Sequence, residues 1–318
     1  MSKARKAQGA ASPVAPASVV SQSSLAPPAA VPLSWPSLPG GLSRALQFLT
    51  RQLLNPMPLR VRLARRMIET LRLGTYAERL ALDLAPRPYY GFCVYNAALL
   101  AAALGHQRIS VIEFGVAGGN GLVNLEAHAK EVERETGVGC DVYGFDTGRG
   151  LPPPTDLRDL PYIWREGFYG CDVEALRRRL ERAELILGDV ADTVRDFATR
   201  GAAPIGAAMV DLDLYSSTAA ALKLFIDPAA PCLPRILLYF DDVTGRPIEA
   251  YNEFSGELLA IREFNEASPH RKIAALRIDR RRRFPAEWND RIYVLHLFDH
   301  PDYAAYVGPE NDQRPLLD

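Results

Sequence analysis

The stretch Val111-Ile112-Glu113-Phe114-Gly115-Val116-Ala117-Gly118-Gly119-Asn120-Gly121 runs a short apolar strand into a glycine-rich turn, and further apolar strands follow at intervals filled by helical patterns. A chain that alternates strand and helix in this way is directed to an open α/β sheet, because parallel strands need crossovers and the crossover helices cover the sheet faces. Ligands of such sheets bind outside the carboxyl ends of the strands. Two later strands end in paired aspartates, one leading into Asp211-Leu212-Asp213-Leu214-Tyr215 and the other into Asp241-Asp242. Glycines and acids at three strand ends are therefore expected to converge on one crevice.

In order, the pattern predicts helices over residues 91–104, 121–135, 173–183, from about 191, and over 248–266. Strands are expected over 108–114, 141–145, 185–187, 205–210 and 235–240, with Ser216 or Ser217 capping the helix after the fourth. Residues 272–278 and 291–298 read as two more strands. The connection over 280–289 is short, polar and contains Pro285, so it has no room for a crossover helix. These last two strands should pair antiparallel.

The 318 residues suffice for one large α/β domain with appendages. Residues 1–41 are rich in Ala, Pro, Ser and Val and cannot bury enough surface to offset the entropy of ordering; they are expected to be a disordered tail. Residues 42–88 read as a basic helical leader, with Leu42, Leu46, Leu49 and Leu53 at helical spacing, a basic face of Arg44, Arg51, Arg62, Arg65, Arg66 and Arg72, and a break near 55–58. That face is expected to meet solvent or a partner rather than a membrane. Residues 89–318 then hold the α/β domain.

Charge is uneven: up to Ser110 there are thirteen Lys and Arg against three acids, which leaves the remainder net acidic by about eleven. Cys93, Cys140, Cys171 and Cys232 are widely spaced and too few for a disulfide framework, and so are expected to be reduced core residues. No apolar run reaches the roughly eighteen residues a membrane span needs, and the N-terminus lacks a compact signal core. The expected location is cytoplasmic. The arginines at 280–283 lie in a turn and read as solvated, so no nucleic-acid partner is expected. The five histidines show no ligand spacing, and the oligomeric state is left open, a homo-oligomer included.

The glycine turn is not the dinucleotide fingerprint G-x-G-x-x-G. It reads E-x-G-x-x-x-G over Glu113, Gly115 and Gly119, where the acid can meet an ammonium and the open turn admits a nucleoside with an amino-acid tail. Asp146 ends the second strand, placed to accept ribose hydroxyls. Asp189 follows the third, either to contact an adenine edge or to cap a helix. A hard cation such as Mg²⁺ takes oxygen ligands, and Asp211, Asp241 and Asp242 end what should be adjacent strands and can share one ion. Asp213, two residues beyond Asp211, is on the same side if the strand persists and can act as general base. Tyr162, Trp164, Phe168 and Tyr169 lie in the loop before the third strand, available to cap cofactor or acceptor.

Glu113-Phe114-Gly115-Val116, then Tyr143-Gly144-Phe145-Asp146 with Gly150-Leu151-Pro152, then Val210-Asp211-Leu212-Asp213-Leu214-Tyr215-Ser216-Ser217-Thr218, then Asp241-Asp242 together resemble the macrocin O-methyltransferase family. These are class I S-adenosylmethionine-dependent enzymes that methylate sugar hydroxyls of macrolide and aminocoumarin antibiotics with a divalent metal. The resemblance covers about residues 89–298. It implies a doubly wound, seven-stranded Rossmann-like methyltransferase sheet ending in an antiparallel hairpin. It also implies that Glu113, Gly115, Gly119 and Asp146 hold S-adenosylmethionine, that Asp211, Asp241 and Asp242 hold Mg²⁺, and that Asp213 is the base. The partner would be a small-molecule hydroxyl acceptor. A catechol-type methyltransferase is the enzymatic alternative, and a cofactor-binding scaffold with a partner-recruiting basic N-terminal region is the other. A nicotinamide oxidoreductase is disfavoured by the glycine spacing and by four acids that hydride transfer does not need.

Overall fold

The computed structural model describes residues 59–71, 73–278 and 286–308. The expected tail, the first part of the basic leader, the arginines at 280–283 and Pro285 lie outside the described residues.

Seven strands form one sheet: β1 (Arg108–Phe114), β2 (Gly139–Asp146), β3 (Glu184–Leu187), β4 (Ile205–Val210), β5 (Cys232–Phe240), β6 (Arg271–Ala275) and β7 (Ile292–Leu297). Their spatial order is β3-β2-β1-β4-β5-β7-β6. β1, β2, β3, β4 and β5 pair in parallel, and β7 pairs antiparallel with both β5 and β6. Every residue of β4 is buried, as is every residue of β1 except Arg108. Strands covered on both faces need continuous apolar runs rather than alternation, which is what Ile205 to Val210 and Ile109 to Phe114 provide. Pro234 lies where the β4–β5 register jumps from Ile205↔Cys232 to Ala207↔Leu237. A bulge is where a strand tolerates a residue without an N–H.

Helices α1 (Leu59–Leu71), α2 (Tyr76–Ala81), α3 (Pro88–Ala103), α4 (Asn120–Thr136), α5 (Val173–Arg179), α6 (Val190–Ala198), α7 (Tyr215–Leu222) and α8 (Gly256–Ala267) complete the framework. Two apolar cores cover the two sheet faces. One gathers α6, α7 and α8 around Phe145, Phe197, Phe225 and Phe240. The other gathers α2, α3 and α4 around Tyr90, Leu122, Leu125 and Met209. The sheet is doubly wound, with the hairpin at one edge.

Several boundaries differ from the sequence expectation. Tyr76 and Leu80 are core residues, so the domain takes in α2 and does not begin at Tyr89. α2 is fixed by a capping box in which Thr75 and Glu78 satisfy each other's amides. The helix expected over 173–183 stops at Arg179, and Leu180 is already extended. The helix expected over 248–266 begins only at Gly256, and the residues before it form a loop beside the cleft. Neither Ser216 nor Ser217 caps α7: the helix starts at Tyr215, and Asp159, 57 residues earlier, accepts the Ser216 N–H at 2.8 Å and its hydroxyl at 3.1 Å. Cys93, Cys140 and Cys232 are buried free thiols, as expected, and Cys171 is half-buried. No helix among the described residues is long and apolar enough to cross a membrane.

Candidate functional site

The strand order reverses between β1 and β4, and the carboxyl ends there open on a cleft of about 1070 Å³. Backbone pairing carries each turn to the cleft edge in register. Gly115 N–H bonds Phe145 O at 2.9 Å, Asp211 N–H bonds Phe114 O at 2.9 Å, and Asp241 N–H bonds Val210 O at 3.0 Å. Gly115, Asp146, Asp189, Asp211, Asp213, Asp241 and Asp242 all line this cleft. The topology thus brings together residues that are far apart in the chain.

Gly115 has φ +84°, and a Cβ there would stand 1.8 Å from the Asp211 carbonyl oxygen. The glycine lets the turn after β1 pass under the turn after β4. Gly115→Ala is expected to lower the melting temperature by several degrees or to abolish cooperative unfolding, because the clash is with backbone; calorimetric melting measures it. Gly119 differs from expectation: its missing Cβ makes room for Leu176, 2.3 Å from where that atom would be, and it does not line the cleft. Its φ of +81° starts α4.

Glu113 is fully buried at the end of β1, where the Tyr90 hydroxyl donates to its Oε1 at 2.7 Å. Its Oε2 is buried without a hydrogen-bond partner, and burial pushes the carboxyl up to about 8. An unsatisfied buried carboxylate oxygen is costly unless a donor arrives. Asp146 is more occupied than the sequence suggests: Oδ2 accepts Val116 and Ala117 N–H at 2.9 Å each, and Oδ1 accepts Gly148 N–H at 2.6 Å. Three of roughly four acceptor positions are used, which leaves room for one ligand hydroxyl rather than two. Asp189 caps α6 through the Ala191 N–H at 2.8 Å, as the helix-cap reading expected, and it also lines the cleft.

The acids after β4 and β5 arrange themselves differently from the sequence expectation. Oxygens of Asp211, Asp213 and Asp242 lie within 4.8 Å of one another, a spacing that a single cation could bridge. Asp241 is not in this group. Its carboxylate accepts from the Tyr239 hydroxyl and pairs with Arg291 at 2.5 Å. Asp241 and Asp242 both line the cleft, and what sets Asp241 apart is its engagement with Arg291 and the Tyr239 hydroxyl.

Asp213 joins by a tight turn rather than by strand alternation. β4 stops at Val210, Leu214 N–H closes onto Leu212 O at 2.6 Å, and Asp213 sits between them at φ +60°, a region that Asp tolerates better than most side chains. Its N–H donates to Asp242 Oδ2 at 3.2 Å, and Tyr251 donates to Asp242 Oδ1 at 2.8 Å.

Burial and the neighbouring Asp242 and Asp241 charges push Asp213 up to about 8. Burial raises Asp242 to about 6 against the Tyr251 hydrogen bond, and burial with the same set of charges raises Asp211 strongly. Without a cation such a cluster must hold protons.

Glu257, at the start of α8, was not singled out from sequence. It is fully buried and accepts the amides of both Leu212 and Asp242. Trp164 lines the cleft with its Nε1 buried and unpartnered, and Tyr169 lies beside it in the field of all four aspartates. Tyr162 donates to Glu249 O at 2.9 Å, which ties the loop before α5 to the loop before α8.

No family model matches this chain, and no curated protein matches it. Among solved structures it is similar to the calicheamicin methyltransferase CalS11, at 21% identity over 82% of this chain and 94% of that one, with a TM-score of 0.45. It is also similar to the O-methyltransferase NovP, at 16% identity over 65% and 78% of the two chains, TM-score 0.45. A third is the O-methyltransferase TomG from Streptomyces achromogenes, involved in tomaymycin synthesis and solved in complex with SAM, at 16% identity over 80% and 96%, TM-score 0.38.

Proposed function

We propose that this chain is an S-adenosylmethionine-dependent O-methyltransferase that uses a divalent cation and acts on a hydroxyl of a small molecule, a sugar or glycosylated natural product. The observation that carries the reading is the buried trio Asp211, Asp213 and Asp242, in one cleft with the glycine turn after β1. Three like charges packed this closely are stable only with protons or with a cation. The ordered motif blocks over residues 113–242 favour a sugar hydroxyl as acceptor.

The residues suit both groups. Glu113 does not line the cleft, but its enclosed Oε2 is an acceptor in want of a donor, which the ammonium of the cofactor's amino-acid tail would supply on reaching beneath the turn after β1. Gly115 lines the cleft without a side chain, Asp146 keeps one position for a ribose hydroxyl, and Asp189 lines the same cleft, available to the base. Gly119 serves the cofactor indirectly, by starting α4. S-adenosylmethionine, when bound, supplies a sulfonium-activated methyl group.

Asp211 and Asp242 are the residues that would hold Mg²⁺, which would supply positive charge to make an acceptor hydroxyl more acidic. Asp241 could join them only by releasing Arg291. Asp213 takes the acceptor's proton at its carboxylate, which lies within 4.8 Å of the oxygens of Asp211 and Asp242 and lines the same cleft. Trp164, Tyr169 and Tyr251 form the wall against which the acceptor is aligned for in-line transfer.

Calorimetric titration tests the cofactor. The protein is expected to bind S-adenosylmethionine and its demethylated product and to give no heat with NAD. Tight NAD binding without response to the methyl donor would end this reading.

A further inference from the structure

Glu257 occupies the first turn of the twelve-residue helix α8, a position where an acid ordinarily meets solvent and favours the helix dipole. Here its side chain is wholly enclosed, with 0% exposure. Its oxygens turn away from its own helix. Oε2 accepts the Asp242 N–H at 3.0 Å, and Oε1 accepts the Leu212 N–H, 45 residues back in the chain, at 3.4 Å. One carboxylate therefore holds the turn after β4 and the turn after β5 at the same time. Those two turns carry Asp211, Asp213 and Asp242.

We propose that Glu257 is a positioning residue for the cation site: by clamping the Leu212 and Asp242 amides together it fixes the separation at which Asp211 and Asp242 meet one divalent ion with Asp213 beside them. The inference rests on the reading of that trio as a cation site. Enclosing a carboxylate is costly: burial and the Asp242 and Asp211 charges raise its proton affinity strongly, and the two amide donors work against them. Two acceptor oxygens on one rigid group are also what two converging N–H groups require. A glutamine has the same size but offers one acceptor and one NH₂. It satisfies one turn and sets a donor against the donor of the other.

The test uses the full chain, stripped of metal, with Mn²⁺ as probe followed by electron paramagnetic resonance. Glu257→Gln is expected to raise the Mn²⁺ dissociation constant about tenfold or more, a loss of about 1.4 kcal/mol. Affinity for the demethylated cofactor should change less than twofold. Glu257→Asp keeps both acceptor oxygens on a shorter stem and should bind Mn²⁺ more tightly than the glutamine variant, a rescue that a merely structural role for the side chain's size would not produce. If Glu257→Gln does not unfold cooperatively, Glu257→Asp is compared directly with wild type and is expected to bind at least threefold more weakly. Wild-type protein that binds Mn²⁺, with the deciding variant binding it within twofold as well, overturns the clamp alone. Wild-type protein that binds no Mn²⁺ at millimolar concentration overturns the cation site and the clamp with it.

Discussion

Asp213→Asn is expected to lower kcat by about a hundredfold or more, the usual scale for loss of a general base, with cofactor affinity changed less than twofold. Asparagine suits the experiment because it tolerates the φ of +60° that Asp213 adopts, so the turn between Leu212 and Leu214 should survive. It keeps one side-chain acceptor and the backbone N–H that reaches Asp242, but it cannot take a proton. Asp211→Asn should behave differently, raising the concentration of Mg²⁺ needed for half-maximal rate, because a ligand charge is lost. The assay is product formation from labelled methyl donor over a panel of glycosides and catechols at saturating Mg²⁺. An Asp213→Asn enzyme as active as wild type would remove Asp213 from the role of base.

The strands were legible because burial on both faces leaves a mark in the sequence. β1 matches its expected bounds, and the antiparallel edge follows from the short connection before Ile292. What was not legible was tertiary. The pattern over residues 248–255 can be read as helix, yet the Tyr251 hydroxyl goes to Asp242, Arg246 pairs with Glu249, and the chain stays a loop until Gly256. Asp159 caps α7 from 57 residues away, which no local signal at Ser216 could announce.

At the site, the strand ends and their acids were visible, but their grouping was not. Asp241 and Asp242 look equivalent in sequence, and only Arg291 and the Tyr239 hydroxyl distinguish them. Glu257 was hidden for a related reason. A lone acid in a helical stretch reads as solvated surface unless the chain folds so that two amides from distant turns arrive at it.

Removing divalent ions is expected to abolish methyl transfer while leaving S-adenosylmethionine binding largely intact, since the residues proposed to hold the cofactor are not among the proposed ion ligands. The same cluster predicts how stability should vary with pH. Asp213, Asp242 and Glu113 hold protons more tightly when folded, up to about 8, 6 and 8, than in the unfolded chain. For acids shifted upward, the stabilising contribution is complete below the unfolded values near 4 and is lost as pH rises through the folded ones. The metal-free protein should therefore melt at progressively lower temperature between about pH 5 and 8. Mg²⁺ favours the deprotonated cluster, so the increase in melting temperature on adding it should grow over the same interval. Scanning calorimetry at several pH values, with Mg²⁺ or with excess chelator, measures both trends. Undiminished activity in chelator, or a Mg²⁺ increment that shrinks as pH rises, would show that these aspartates are not held together by a cation.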